Sequence, residues 1–447
     1  MKDLTKGNPL KLILLFAIPV FIGQLFHLFY SLVDTRIVGQ ILGETSLAAV
    51  GSTTSVSDLM TGFLNGLTSG FAIIIATYFG ANTEKDMKKS IAGTVILSTC
   101  TALILSIICL ILLKPILNIL NIPDSIMTES SSYLKIIIIG LIASTYSNTC
   151  MAILRAIGDS FTPLVFLVIA AILNIILDYT FILVFHSGVA GAAIATVISQ
   201  VVSVILCYLY IKKKYPLLLL KREDFRISKE IYQKLISSGL SMGFMVSFVY
   251  FGTLALQTSI NLFGTTIIVA HTAARKITSI LMLPFSVIST TIATYCGQNY
   301  GAGKYSRIRD GVTKTLQITF IWCIFVIILT YTLAPQMTKL ITATEVAEII
   351  RTATLYLKIN TIFYFVPAII CTLRNSLQGI GDTKTPVFSS SIELIGKVFV
   401  ALFLAPKLGY MGIIIAEPIV WFIMVIPLIA VFLKNPVFSK HSFDTNE

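Results

Sequence analysis

Charge is scarce in this sequence. Asp, Glu, Lys and Arg make up 12% of its 447 residues, and its mean hydropathy is +0.89. A soluble chain of this length needs far more polar surface, so a soluble globular fold is excluded. Paired cysteines are missing too. The seven cysteines, at 100, 109, 150, 207, 296, 323 and 371, all fall in apolar runs and none forms a CxxC pair, which leaves neither a disulfide framework nor a cysteine metal site. No GxxxxGK[ST] loop occurs, so ATP-driven work would need a separate subunit. Neither an enzyme nor a cofactor is indicated.

The formal charge of +12 suggests nucleic acid only until its distribution is read. Basic residues gather in short loops between alternate apolar runs: Lys85, Lys88 and Lys89; Lys212, Lys213, Lys214, Lys221, Arg222 and Arg226; Lys304, Arg307 and Arg309. The intervening loops carry few. Such alternation sets topology in a membrane and implies no nucleic-acid partner.

Long apolar stretches fill the rest of the chain, each able to cross a hydrocarbon core of ~30 Å as a helix. Twelve spans are expected, near 10–38, 46–79, 86–113, 127–154, 161–185, 188–213, 229–262, 265–297, 306–334, 346–378, 384–405 and 408–434. The opening "MKDLTKGNPLKLILLF" runs into a span too long for a signal peptide and lacks a small-residue cleavage site. It is expected to be the retained first helix, with both termini cytoplasmic.

The two halves resemble each other. "ATYFGAN" (76–82) recurs as "ATYCGQN" (293–299), "AIGDSFTP" (156–163) as "GIGDTKTP" (379–386), and "GVAGAAIAT" (188–196) as "GYMGIIIAE" (409–417), at offsets of 217, 223 and 221. A polar linker, 212–234, separates an N-terminal lobe, 1–222, from a C-terminal lobe, 223–447. With six spans each, both lobes enter the membrane in the same direction. The expected fold is therefore an all-α polytopic membrane protein of twelve transmembrane helices in two pseudo-symmetric six-helix bundles. That arrangement is typical of secondary transporters. The repeated GD–TP element reads as a tight turn in which Asp or Thr caps the next helix. Gly80 and Gly297 read as helix ends or hinges.

Eight charged residues fall well inside the spans: Asp34, Asp58, Asp178, Arg275, Lys276, Glu393, Lys397 and Glu417. Such residues are rare in lipid and are functional candidates by default. The first half holds three acids and no deep base, which suits a mobile cation. Asn174 shares a face with Asp178 at i, i+4. Asp178 and Thr196 lie at similar depth, ~11 Å from the turn between their spans at 1.5 Å per residue. Asp34, Asn174, Asp178 and Thr196 could thus converge as oxygen ligands for a hard cation such as Na⁺. Alternatively, two carboxylates buried together would let one keep a proton near neutral pH. The bland reading is a neutral acid acting as interhelical glue. His27, Tyr30, Asp58, Arg275, Glu393 and Glu417 are candidate cavity residues. For Glu393 and Lys397, at i, i+4, a helix-surface ion pair is the simpler account. Arg275 and Lys276 have Glu393 or Glu417 as expected partners, Pro418 marks a bend beside Glu417, and His27 reads most simply as a packing histidine.

These features resemble the MATE (multidrug and toxic compound extrusion) family of antiporters. "SLVDTRIVGQILG" (31–43) is similar to its first-helix element, "NIILD" (174–178) with Thr196 to the cation site of the branch with an acidic fifth helix, and "AEPIVW" (416–421) to its twelfth-helix pattern. The resemblance covers essentially the whole chain. It implies a cation site of Asp34, Asn174, Asp178 and Thr196, and export of organic, often cationic, drugs in exchange for H⁺ or Na⁺. The place implied is the cytoplasmic membrane of a bacterium, as a monomer among lipids. The acids that another branch carries on its seventh and tenth helices are missing here, so coupling is expected in the first lobe alone. A flippase for lipid-linked oligosaccharides is the alternative, since related flippases share the helix architecture.

Overall fold

The structure, a computed structural model, describes residues 3–439. Residues 1–2 and 440–447, and with them the expected cytoplasmic placement of the two ends, lie outside the described residues. The chain is nearly all helix: α1 (Pro9–Leu42), α2 (Glu44–Gly80), α3 (Glu84–Ile111), α4 (Leu113–Ile119), α5 (Asp124–Ala156), α6 (Phe161–Tyr179), α7 (Gly188–Lys214) and α8 (Lys229–Ile260) in the first half. Then follow α9 (Thr265–Leu281), α10 (Leu283–Gly301), α11 (Tyr305–Thr342), α12 (Ala347–Ile362), α13 (Phe365–Gly379), α14 (Lys384–Phe399), α15 (Ala405–Leu408) and α16 (Tyr410–Lys434).

Among the described residues, eleven helical stretches are long and apolar enough to cross a membrane, and α12 with α13 forms a twelfth span bent by 54°. Pro367 explains the bend. It lacks the N–H that would bond the Phe363 carbonyl one turn earlier, and its ring crowds that carbonyl. The Phe363 carbonyl accepts from Val366 N instead, at 2.8 Å. A one-turn π-helix follows α6 at Thr180–Val184 and another follows α14 at Val400–Leu404. Recurring in both halves, it belongs to the repeated fold rather than to one site.

Two compact units make up the described residues: residue 3 with 18–243, and residues 4–17 with 244–439. This division falls inside α8 rather than at the linker, and hydrogen bonds show why. In the first unit Ser238 Oγ of α8 donates to the Gly70 carbonyl of α2 at 2.8 Å, and Ile231 and Leu235 share a core with Leu67 and Phe71. In the second unit, Leu4 N donates to Gln298 Oε1 at 3.0 Å and Lys304 Nζ to the Thr5 carbonyl at 3.0 Å. Small residues let α2 and α8 approach: a Cβ on Gly70 would meet the Ser238 carbonyl oxygen and come within 2.7 Å of Gly239 Cα. Gly70→Val is expected to destabilise the protein by ~2–3 kcal/mol through overpacking. Unfolding midpoints in detergent check this, with Gly51→Val, where nothing is near, as the neutral control.

The duplication is visible in the backbone. Left-handed φ recurs in pairs: Gly43 with Gly264, Asn82 with Gly303 and Gly188 with Gly409, each 221 residues apart, and Gly158 with Gly381, 223 apart. One sequence match is corrected by this register. Gly80 ends α2 and its counterpart ending α10 is Gly301, 221 residues on. The "ATYxGxN" match at 217 is therefore displaced by one helical turn. Gly297 is not a helix end; it lies inside α10, where its backbone N would sit 3.3 Å from a Cβ on Gly379. The GD–TP turns cap as expected: Asp159 Oδ1 accepts from Thr162 N at 3.0 Å, and Asp382 Oδ1 from Thr385 N at 3.1 Å.

Candidate functional site

In the first unit, α5 packs against α2 and α7, and α6 lies against α7. Ile37 and Val38 of α1 pack on Ile182 and Ala192, which holds the outer part of α1 beside α6 and α7. This places Asp34 and Tyr30 of α1 next to Asn174 and Asp178 of α6. Asn174 and Asp178 are fully buried, each 0% exposed. The Asn174 amide, oriented by its hydrogen-bond network, donates to Asp178 Oδ2 at 3.1 Å and to the Tyr30 hydroxyl at 3.1 Å, while its oxygen accepts from Thr196 N at 3.0 Å. Thr196 Oγ1 donates to the Ala192 carbonyl at 3.0 Å, which leaves its lone pairs toward the cluster.

The two carboxyls lie within hydrogen-bonding reach of each other. Yet Asp34 Oδ1 and Asp178 Oδ1 are both buried with no donor to meet them. Two neighbouring carboxylates that each keep a buried, unmet oxygen are costly in a low-dielectric setting. One proton between them, or one cation held by both, removes the cost. Among the described residues no three His, Cys, Asp or Glu side chains gather as a metal site. Two carboxylates with neutral amide and hydroxyl oxygens suit a proton or a monovalent cation better than a divalent one.

The four residues expected to converge do so. Tyr30, counted from sequence with the cavity, joins them through Asn174. His27 is exposed and stands edge-on to Tyr30, ring centroids 6.0 Å apart, with no bond to the acids among the described contacts. Asp58 is exposed on α2. Tyr133 of α5 lies within electrostatic reach of Asp34, Asp178 and Asp58. Sequence reading missed it, although a tyrosine also stands 223 residues on, at Tyr356.

In the second unit the corresponding place is built differently. Glu417 stands eight residues beyond the Gly409 turn, as Thr196 does beyond Gly188. Arg275 Nη1 pairs with Glu417 Oε1 at 2.6 Å, and the Tyr356 hydroxyl donates to Glu417 Oε2 at 2.8 Å. His271 Nδ1 is 3.0 Å from the Tyr410 hydroxyl. Glu417 is thus already neutralised by a resident base. Asn360 Nδ2 donates to the Ile414 carbonyl at 3.2 Å, which is the acceptor that Pro418 leaves unbonded in α16. Lys397 pairs with Glu393 at 2.7 Å, but this pair is not on a helix surface: the side chains are 4% and 10% exposed. Gly252 of α8 makes the room, since a Cβ there would lie 2.8 Å from Lys397 Cδ.

Against known proteins, the MatE family model matches twice, over residues 19–180 and 241–403, covering most of the chain and both halves of the repeat. The chain belongs to the MatE family. Its MatE relatives include a probable multidrug resistance protein, YpnP, of Bacillus subtilis, 29% identical over 68% of each chain. Another is the probable multidrug resistance protein NorM of Thermotoga maritima, 25% identical over 85% of this chain and 82% of that one. Among solved structures, the outward-facing conformation of a multidrug resistance MATE family transporter of the MOP superfamily aligns with a TM-score of 0.89 at 23% identity, over 98% of both chains. A MOP superfamily transporter from Pyrococcus furiosus aligns at 0.88 and 24% identity, over 96% of both. These likenesses place the chain as a polytopic membrane protein with the MatE fold.

Proposed function

We propose that this chain is a secondary active exporter, exchanging inward H⁺ or Na⁺ for organic, often cationic, compounds. In this reading it works as a monomer in the cytoplasmic membrane of a bacterium. The observation that carries the proposal is the pair of carboxyls at Asp34 and Asp178, within reach of each other and each with a buried oxygen that no donor meets. The relatives named for multidrug resistance support small organic molecules as the cargo. Asp34, Asn174, Asp178 and Thr196 would hold the ion, with Tyr30 fixing Asn174.

Coupling requires the ion to favour one conformation over another; tight binding by itself shifts nothing. The pair supplies such a difference because its acids stand on different helices. An ion shared by Asp34 and Asp178 draws α1 toward α6. Without it, two like charges face each other and favour separation, worth ~4 kcal/mol at ~4 Å for an effective dielectric near 20. Ion binding and α1 placement are then linked, and substrate release can follow.

The test is reconstitution of the purified protein in liposomes, with Na⁺ and H⁺ gradients imposed separately and movement of a fluorescent organic cation followed. One of the two gradients is expected to drive flux against the substrate gradient. Flux indifferent to both would sink the antiport reading.

A further inference from the structure

A cavity of about 320 Å³ lies within the second unit, between α8, α9, α12 and α16. Its polar wall includes Arg275, Lys276, His271, Tyr356 and Glu417, beside neutral amide and hydroxyl side chains; Leu256, Ile260 and Ile413 supply an apolar wall. Two bases thus stand against one acid. Arg275 is committed to Glu417 through Nη1 alone, with the Tyr356 hydroxyl 3.5 Å from the same atom. Its Nη2 and Nε donors meet no acceptor among the described contacts. Lys276 takes part in none of the ion pairs among the described residues, though it lines the cavity.

Position makes this surplus unusual. Arg275 stands eleven residues beyond the Gly264 turn, hence ~16 Å along the helix at 1.5 Å per residue. Lys276, its exposed neighbour in sequence, has no ion partner among the described residues at that depth, and a cation so placed calls for an anion or water. A guanidinium whose Nε–Nη2 edge is free is shaped to take a carboxylate in a fork. A cation entering the same cavity would meet the opposite situation: the only acid is occupied, and the net charge repels it.

We propose that this cavity receives the carboxylate of an organic acid or zwitterion, with the body of the molecule against Leu256, Ile260 and Ile413. The proposal rests on the reading of the chain as a carrier of small organic molecules and narrows it: substrates include compounds bearing a carboxylate, not cations alone. Arg275 Nη2 and Nε and Lys276 Nζ are the donors; Glu417 keeps the guanidinium in place. The two lobes then divide the work by charge, the coupling ion at the acids of the first and the anionic group at the bases of the second.

Equilibrium binding tests this without any ion gradient. The full-length protein in nanodiscs of zwitterionic lipid is titrated against diethylaminocoumarin carboxylic acid and against its methyl ester, by fluorescence anisotropy. The acid is expected to bind about tenfold more tightly than the ester, the size of one charge-assisted hydrogen bond. Lys276→Gln, which breaks no ion pair, is expected to bring the two affinities within about twofold while the ester's stays unchanged. The double variant Arg275→Gln with Glu417→Gln, which leaves no buried partner unpaired, is expected to do the same. Equal affinities for acid and ester in the wild type would overturn the proposal, as would a preference that survives in both variants. Asp178→Asn should leave the preference intact, so a failure of ion coupling and a failure of this inference give different results.

Discussion

Asp178→Asn is expected to reduce ion-driven efflux by about 100-fold or more, a loss of ~2.7 kcal/mol of coupling at ~1.4 kcal/mol per decade. The substitution keeps the size of the side chain and an oxygen to accept from the Asn174 amide, now 3.1 Å from Asp178 Oδ2. What it removes is the second charge. Asp34 alone then has no carboxylate with which to share a proton, and a monovalent cation would lose one of its two charged ligands. Stability should not fall, because a buried ionisable group has been replaced by a neutral one. Substrate binding without a gradient should change less than about twofold, since the group lost serves the ion. Vesicle efflux and equilibrium binding on the same preparation separate these outcomes. Asp58→Asn is the contrast. That residue is exposed, and its replacement should leave gradient-driven flux within about twofold.

In the second lobe the largest expected effect is on stability, and it is asymmetric. Glu417 is the buried member of its ion pair, with a side chain 8% exposed, whereas the Arg275 side chain is 35% exposed toward its cavity. Arg275→Gln leaves a buried carboxylate whose remaining partner is the Tyr356 hydroxyl at 2.8 Å. A cost of ~3 kcal/mol is expected, the low end for a broken buried pair. Glu417→Gln leaves a cation that can turn to water, and should cost only ~1 kcal/mol. The double variant should recover most of the difference between Arg275→Gln and wild type. Unfolding in detergent against temperature or SDS measures all three. Equal losses for the two single variants would mean that the cavity does not hydrate Arg275.

Much of the fold was legible because membrane helices announce themselves by length and apolarity. The expected spans fall close to the observed helices, and the linker loops carry the charge. The bend between α12 and α13 was less so: Pro367 was visible, but a proline inside a span permits either a continuous helix, as at Pro19, or a break. The displaced "ATYxGxN" match has a simple cause. A shift of four residues keeps a helix on the same face, so small and polar residues still align, and only the left-handed turn positions reveal the register.

The site was partly legible for similar reasons. Asn174 and Asp178 share a face by spacing, and the turn at Gly188 fixes the depth of Thr196. Tyr30, one turn before Asp34, shares its face by the same spacing, whereas Tyr133 could not be assigned, since it stands on α5 and sequence does not say which way that helix is rotated. The Glu393–Lys397 pair shows the same limit. Spacing on one helix predicts the pairing, but a glycine on a different helix, Gly252, decides that the pair is buried.

The central claim is that Asp34 and Asp178 together hold the driving ion. The most direct measurement is ion binding itself, on purified protein without a gradient: titration with Na⁺ at fixed pH and with acid at fixed Na⁺, followed by the infrared signal of carboxylic acid and carboxylate. The account predicts one saturable carboxyl response in the wild type, to whichever ion drives flux, lost in both Asp34→Asn and Asp178→Asn and kept in Glu417→Gln. A response that persists in the two first-lobe variants, or disappears with Glu417, would contradict it.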